Sequence, residues 1–108
     1  MHQDQKITPW VQELAGIIGQ ARDQHELEVL LEGLLTPSEL EGLHLRWHLL
    51  KQLRKGCTQR EISRNLGVSL GKIARGSRLL KYGSEDFASL MERLCRNLKK
   101  QRSDDKAP

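Results

Sequence analysis

An all-α fold of six helices is predicted by three observations. Apolar residues recur at three- and four-residue spacings along most of the chain, and no stretch alternates apolar and polar residues as a half-buried strand would. Helix-opening signals recur too, at Thr8-Pro9, at Thr36-Pro37-Ser38-Glu39, at Thr58 with Glu61, and at Ser69. Gly56, Gly67 and Gly83 punctuate the segments between them. At 108 residues the chain is long enough for one modest core, so a single domain is expected over residues 1–100. From Lys99 the sequence KKQRSDDKAP is polar, and 101–108 is expected to be a disordered tail.

Taken in order, Thr8 caps a first helix with Pro9 at its first position, and Trp10, Leu14, Ile17, Ile18 and Ala21 share one face. A second helix runs from about Gln24 to Leu34 through Leu27, Leu30 and Leu31. Thr36 and Glu39 form a capping box with Pro37 at the first helical position. They open a long helix through Leu40, Leu43, Trp47, Leu50 and Leu53, closed at Gly56. Two short helices follow, described below. After the break at Tyr82-Gly83-Ser84, a last helix carries Phe87, Leu90, Met91, Leu94 and Leu98 in its apolar stripe.

The most informative stretch is 58–81, TQREISRNLGVSLGKIARGSRLLK, which reads as a helix-turn-helix. Thr58 caps the first helix and Glu61, three residues on, reaches back to the backbone of the cap. Ile62 and Leu66 lie one turn apart and face inward. Gly67 stands where the chain must end one helix and reverse, a left-handed conformation that a side chain makes costly. Val68 fills the corner and Ser69 caps the second helix. That helix carries Leu70, Ile73 and Leu80 as candidate inward residues, with Lys72, Arg75 and Arg78 outside or at its edges.

Charge is segregated along the chain. Residues 1–50 hold three basic residues against eight acids, a net −5, whereas 51–81 hold nine against Glu61 alone, a net +8, and 82–108 come to +1. A basic block that coincides with a helix-turn-helix is the footprint of phosphate binding, since each neutralised phosphate releases condensed counterions. Double-stranded DNA is therefore the expected partner. Gln59, Arg60 and Ser63 on the first helix and the start of the second are the candidate contacts. Exposed amides around Ser69, Leu70 and Gly71 suit a phosphate, and Gly71 permits close approach. Arg64, Lys72, Arg78 and Lys81 are candidate phosphate contacts that position rather than specify. A solvated basic face, or a helical module that holds protein or RNA, is the competing reading of the same charges.

The first two helices are acidic and richer in leucine and isoleucine than so small a core requires. A partner surface is expected there, because one short recognition helix reads too few base pairs and units of this type bind as two-fold dimers. No apolar run approaches the ~20 residues needed to span a bilayer, and MHQDQKITPW lacks the basic-then-apolar layout of a secretory signal, so a cytoplasmic protein is expected. Cys57 and Cys95 have no CxxC spacing and are expected as reduced, structural thiols. His44 and His48, four apart with Glu41 one turn earlier, have a spacing that can hold zinc. No HExxH pattern or further ligand accompanies them, so they are read as helical surface histidines, and no metal is expected. No nucleophile has an evident base and orienting partner, so an enzyme is not expected.

Arg75-Gly76 is unusual for DNA-reading equipment, because glycine inside a helix costs about 1 kcal/mol relative to alanine. An arginine beside a side-chain-free stretch of helix makes a floor for a planar ring, with the guanidinium available to a carboxylate. Arg46, beside the apolar stripe of the long helix, offers a second cation. The same residues also admit a plainer account, with Arg46 a snorkelling surface residue and Gly76 an early helix end.

Three segments together, LLTPSELEGLHLR (34–46), TQREISRNLGVS (58–69) and IARGSRLLK (73–81), resemble the tryptophan repressor family. The likeness covers about half the chain. It implies six helices per subunit interlocked with a partner into an intertwined homodimer, with L-tryptophan as the non-covalent corepressor that positions the recognition helices for operator DNA. It also implies control of tryptophan biosynthesis or transport genes. By the same resemblance Arg46 and Arg75 sandwich the indole beside Gly76, and Arg75 also meets the carboxylate. Backbone carbonyls near Gly33 and Leu35, with Thr36, hold the amino end, and the partner subunit completes the pocket. Leu79 stands where tryptophan-binding members have a serine, and Lys72 and Ala74 stand where they have threonines. Arg60 matches the family's base-reading arginine, suited to a bidentate contact with guanine.

Overall fold

The computed structural model describes the backbone of residues 2–106 and the side chains of residues 7–99. Six helices and no strand occur among them: α1 (His2–Gly19), α2 (Gln24–Leu34), α3 (Pro37–Arg54), α4 (Gln59–Leu66), α5 (Leu70–Tyr82) and α6 (Glu85–Lys106). None is long and apolar enough to cross a membrane. Contacts gather into two units, Met1–Gly42 and Leu43–Pro108, with the boundary inside α3.

In the first unit, α1 starts well before Thr8-Pro9, the point at which the sequence pattern starts it. Pro9 lies within the helix, where its fixed φ is helical but its ring lacks one N–H of the ladder and crowds the carbonyl one turn earlier. The expected apolar face is present but uncovered: Trp10 is 61% exposed, and Val11, Leu14, Ile17 and Ile18 are exposed as well. Asp23 caps α2, accepting from the Glu26 N–H at 2.9 Å. Arg22 adds an ion pair to Glu26 at 2.7 Å, and its side-chain and backbone hydrogen bonds hold that carboxyl below the usual carboxylate range. Between α1 and α2 runs an apolar groove of about 370 Å³ lined by Ile17, Ala21, Val29 and Leu30, with His25 and Glu26 at its polar side. The Thr36 box is reciprocal as expected: Glu39 N–H donates to Thr36 Oγ1 at 3.1 Å and Thr36 N–H to Glu39 Oε1 at 2.9 Å.

The second unit holds the core. Leu49 and Leu50 of α3, Ile62 of α4, Val68 in the turn, Ile73 of α5 and Met91 of α6 are buried together, with Trp47, Leu53, Leu66, Leu80 and Phe87 packed around them. Cys57 and Cys95 are unpaired thiols half-buried against the same cluster. The end of α3 closes as expected at Gly56, whose φ of +90° is left-handed; Gly56 N–H donates to Leu53 O and Cys57 N–H to Gln52 O, both at 3.1 Å.

One expectation is corrected in α6. Its inward line is the buried Met91 with the half-buried Phe87 and Cys95, whereas Leu90, Leu94 and Leu98, from the same expected stripe, are exposed. The helix runs on to Lys106, into the polar segment after Lys99. Extending an existing helix adds one hydrogen bond per residue ordered, and Lys, Gln and Arg are good helix formers. Ala107 and Pro108 lie outside the described residues.

Candidate nucleic-acid interface

The helix-turn-helix is built from local hydrogen bonds. Thr58 has the extended backbone of a cap, and its Oγ1 accepts from the Glu61 N–H at 3.2 Å. Glu61 does not reach the backbone of the cap, as a full capping box requires; its Oε1 accepts from the Thr58 hydroxyl at 3.0 Å. One hydroxyl thus serves as donor and acceptor. Gly67 ends α4 with φ +68°, and its N–H donates to Ser63 O at 2.8 Å. Ser69 caps α5 through its hydroxyl, which accepts from the Lys72 N–H at 3.3 Å. Ile62 and Ile73 are fully buried beneath the turn.

Two polar contacts that the sequence pattern did not single out hold this unit in shape. Ser63 Oγ donates to Val68 O at 2.9 Å across the turn. Asn65 Nδ2 donates to Gln52 Oε1 at 3.2 Å, fastening α4 to α3. Ser63, one of the candidate DNA contacts, is half-buried and its proton is engaged within the turn. Hydroxyls that bond to nearby backbone are a known competitor for outward contacts, which is the signal that was available at this position.

The other nine candidates, Gln59, Arg60, Arg64, Ser69, Leu70, Gly71, Lys72, Arg78 and Lys81, are all exposed. For Leu70 this overturns the inward placement suggested by its spacing to Ile73; at the first residue of α5 no earlier turn of its own helix covers it. The ion pairs Arg22–Glu26 and Arg96–Glu92 both lie outside 51–81, and the basic residues of that segment carry none among the described residues. Their charge is not neutralised by ion pairs within the described residues.

The candidate effector residues divide between the two units. In Met1–Gly42, Gly33 is exposed within α2, Leu35 is the C-cap of that helix with its N–H on Leu31 O, and Thr36 is held in its capping box. In Leu43–Pro108, Arg46 and Arg75 are exposed and Leu79 is half-buried against the core. Gly76 is not an early helix end. It is buried in the middle of α5, where an added Cβ would stand 2.5 Å from Leu49 Cδ2 and 3.4 Å from Leu50 and Leu53. The space left by its missing side chain is taken by the leucines of α3, so the glycine serves close helix packing. His44 and His48 stack edge to face, ring centres 4.5 Å apart, and no group of three metal-ligating side chains occurs among the described residues.

Residues 10–95 match the family model described as Trp repressor protein. The chain belongs to the Trp repressor family. It is 35% identical over 101 residues to a Trp operon repressor homolog of Vibrio vulnificus strain YJ016, covering 93% of this chain and 98% of that protein. It is 41% identical over 92 residues to the homolog of Photobacterium profundum, covering 81% and 88%. A solved structure, of a TrpR-like protein from Eubacterium eligens ATCC 27750, is similar with a TM-score of 0.70 at 30% identity, covering 80% of this chain and 89% of that one.

As a member of the Trp repressor family the chain is a DNA-binding transcription regulator rather than an enzyme. In this member of the Trp repressor family the helix-turn-helix packs on α3 through Gly76, Gln52 and the buried leucines.

Proposed function

We propose that the protein is a homodimeric repressor that binds operator DNA through α4 and α5 and is gated by an amino-acid corepressor, L-tryptophan. The observation that carries this reading is the basic helix-turn-helix of a Trp repressor family member whose cations find no partner among the described residues. Arg60 is assigned to a guanine edge. Gln59 and the start of α5 at Ser69, Leu70 and Gly71 lie against the duplex, while Arg64, Lys72, Arg78 and Lys81 are assigned to phosphates. The dimer reading is supported by α1, whose apolar face is uncovered, and by the groove between α1 and α2. The corepressor is assigned to Arg75 and Arg46; Arg75 neighbours Gly76, and Arg46 lies one turn before the leucines that pack on that glycine. Ligand that binds the DNA-competent arrangement better than the other shifts the population toward it. The genes controlled are those of tryptophan biosynthesis or transport, and the site of action is the cytoplasm.

A second reading, a related regulator that answers to a different effector, is favoured by Leu79, an aliphatic side chain where the resemblance implies a serine. Titration of labelled palindromic and random duplexes, with and without L-tryptophan and at several salt concentrations, tests both. The repressor reading requires selective, salt-sensitive binding that tryptophan strengthens. Equal affinity for every duplex would sink it, and selective binding indifferent to tryptophan would move the assignment to the second reading.

A further inference from the structure

Leu70 is the exception on the basic face. It is 52% exposed at the first position of α5, while Ile73, one turn on, is fully buried. Its neighbours Ser69, Gly71 and Lys72 are also exposed, so an aliphatic side chain stands at the tip of a helix otherwise dressed in polar and basic groups. A lone exposed leucine is ordinary on a protein surface. Here the position matters, because the N-terminal residues of the second helix in such a unit are those that meet base edges in the major groove. In that groove the apolar group a base presents is the C5 methyl of thymine.

We propose that Leu70 is a specificity-determining residue that packs on a thymine C5 methyl in the major groove. This rests on the DNA-reading assignment above and adds a base preference to it. Gly71 supports the geometry: a Cβ there would meet only Ser69 Oγ, at 4.0 Å, so the first turn of α5 is slim beside Leu70 and can sit deep in the groove. The contact is independent of Arg60, which lies on the other helix and recognises a base by charge and hydrogen bonding. Removing one buried methyl corresponds to an affinity loss of about fourfold.

The test uses the full chain and a duplex that it selects from a random library. Each thymine of the selected duplex is replaced singly by deoxyuridine, which deletes the methyl and leaves base pairing intact. At one thymine of a half-site the replacement weakens wild-type binding about fourfold, and there Leu70→Ala binds both duplexes equally. Leu70→Met, which restores an apolar side chain, regains a preference for thymine, and circular dichroism confirms that both variants are folded. A wild-type protein that binds its duplex selectively yet tolerates deoxyuridine at every thymine overturns the Leu70 assignment and leaves the DNA reader standing. A methyl preference undiminished in Leu70→Ala overturns it too. Failure to select any duplex overturns both.

Discussion

The hydroxyl of Ser63 donates to the carbonyl of Val68 at 2.9 Å, bridging the last turn of α4 and the corner that leads into α5. Val68 is itself buried, and buried backbone carbonyls are normally paired. Ser63→Ala is expected to destabilise the protein by about 1 kcal/mol, measured by urea unfolding. Operator affinity should fall without a change in the slope of log K against log salt, since no phosphate contact is removed.

Gly76→Ala places a methyl group against Leu49, which is 3% exposed and has little room to move. Alanine improves helix propensity by about 1 kcal/mol, while overpacking a core costs about 1–3 kcal/mol. The net expected is destabilisation of about 1 kcal/mol, with part recovered when Leu49→Val is added. A double-mutant cycle by chemical denaturation reads the coupling.

Arg60 and Arg64 lie one turn apart on α4, both exposed, and the proposed function gives them different work. Arg60→Ala is expected to lose about 1–3 kcal/mol on the preferred duplex and to flatten discrimination at one base pair. Arg64→Gln should weaken binding to all sequences alike and lower the salt slope by about 1. Anisotropy titrations across a set of single-base variants separate the two outcomes, and identical defects would contradict the division.

Arg75 is exposed on α5 beside the buried Gly76. Calorimetry should detect L-tryptophan binding to the wild-type protein and none, or far weaker binding, to Arg75→Ala, while Arg60→Ala retains it. Absence of heat with the wild-type protein at millimolar ligand would remove tryptophan as the effector.

Val11 is 57% exposed on α1 beside Trp10. If a second copy covers this face, Val11→Glu is expected to convert the dimer to monomer in sedimentation equilibrium, because a buried unpaired carboxylate is strongly disfavoured. The far-ultraviolet helical signal should largely persist, since the core around Ile62 and Ile73 lies in the other unit.

Much of the helical layout was legible from short-range signals. The Thr36 box, the Thr58 and Ser69 caps and the left-handed Gly67 all involve partners within about one turn of the chain, so their residue types suffice to place them. Pro9 misled as a boundary because the same ring that favours a helix start stands here inside α1, which begins at His2. In α6 both Leu90-Leu94-Leu98 and Phe87-Met91-Cys95 satisfy helical spacing. Periodicity offers two stripes there, and which one is buried depends on the helices packed against it.

The candidate site followed the same division. Composition and order placed a net +8 on a helix-turn-helix, and capping and turn chemistry located its corners, because charge and hydrogen bonds within one turn are properties of neighbouring residues. Whether Leu70 points inward, what occupies the space beside Gly76, and whether Ser63 faces out or holds the turn were settled by a backbone reversal or by residues of another helix. Packing is a relation between surfaces that the chain brings together only on folding. A one-dimensional pattern marks which side chains prefer to be covered, and the three-dimensional arrangement selects those for which a cover exists.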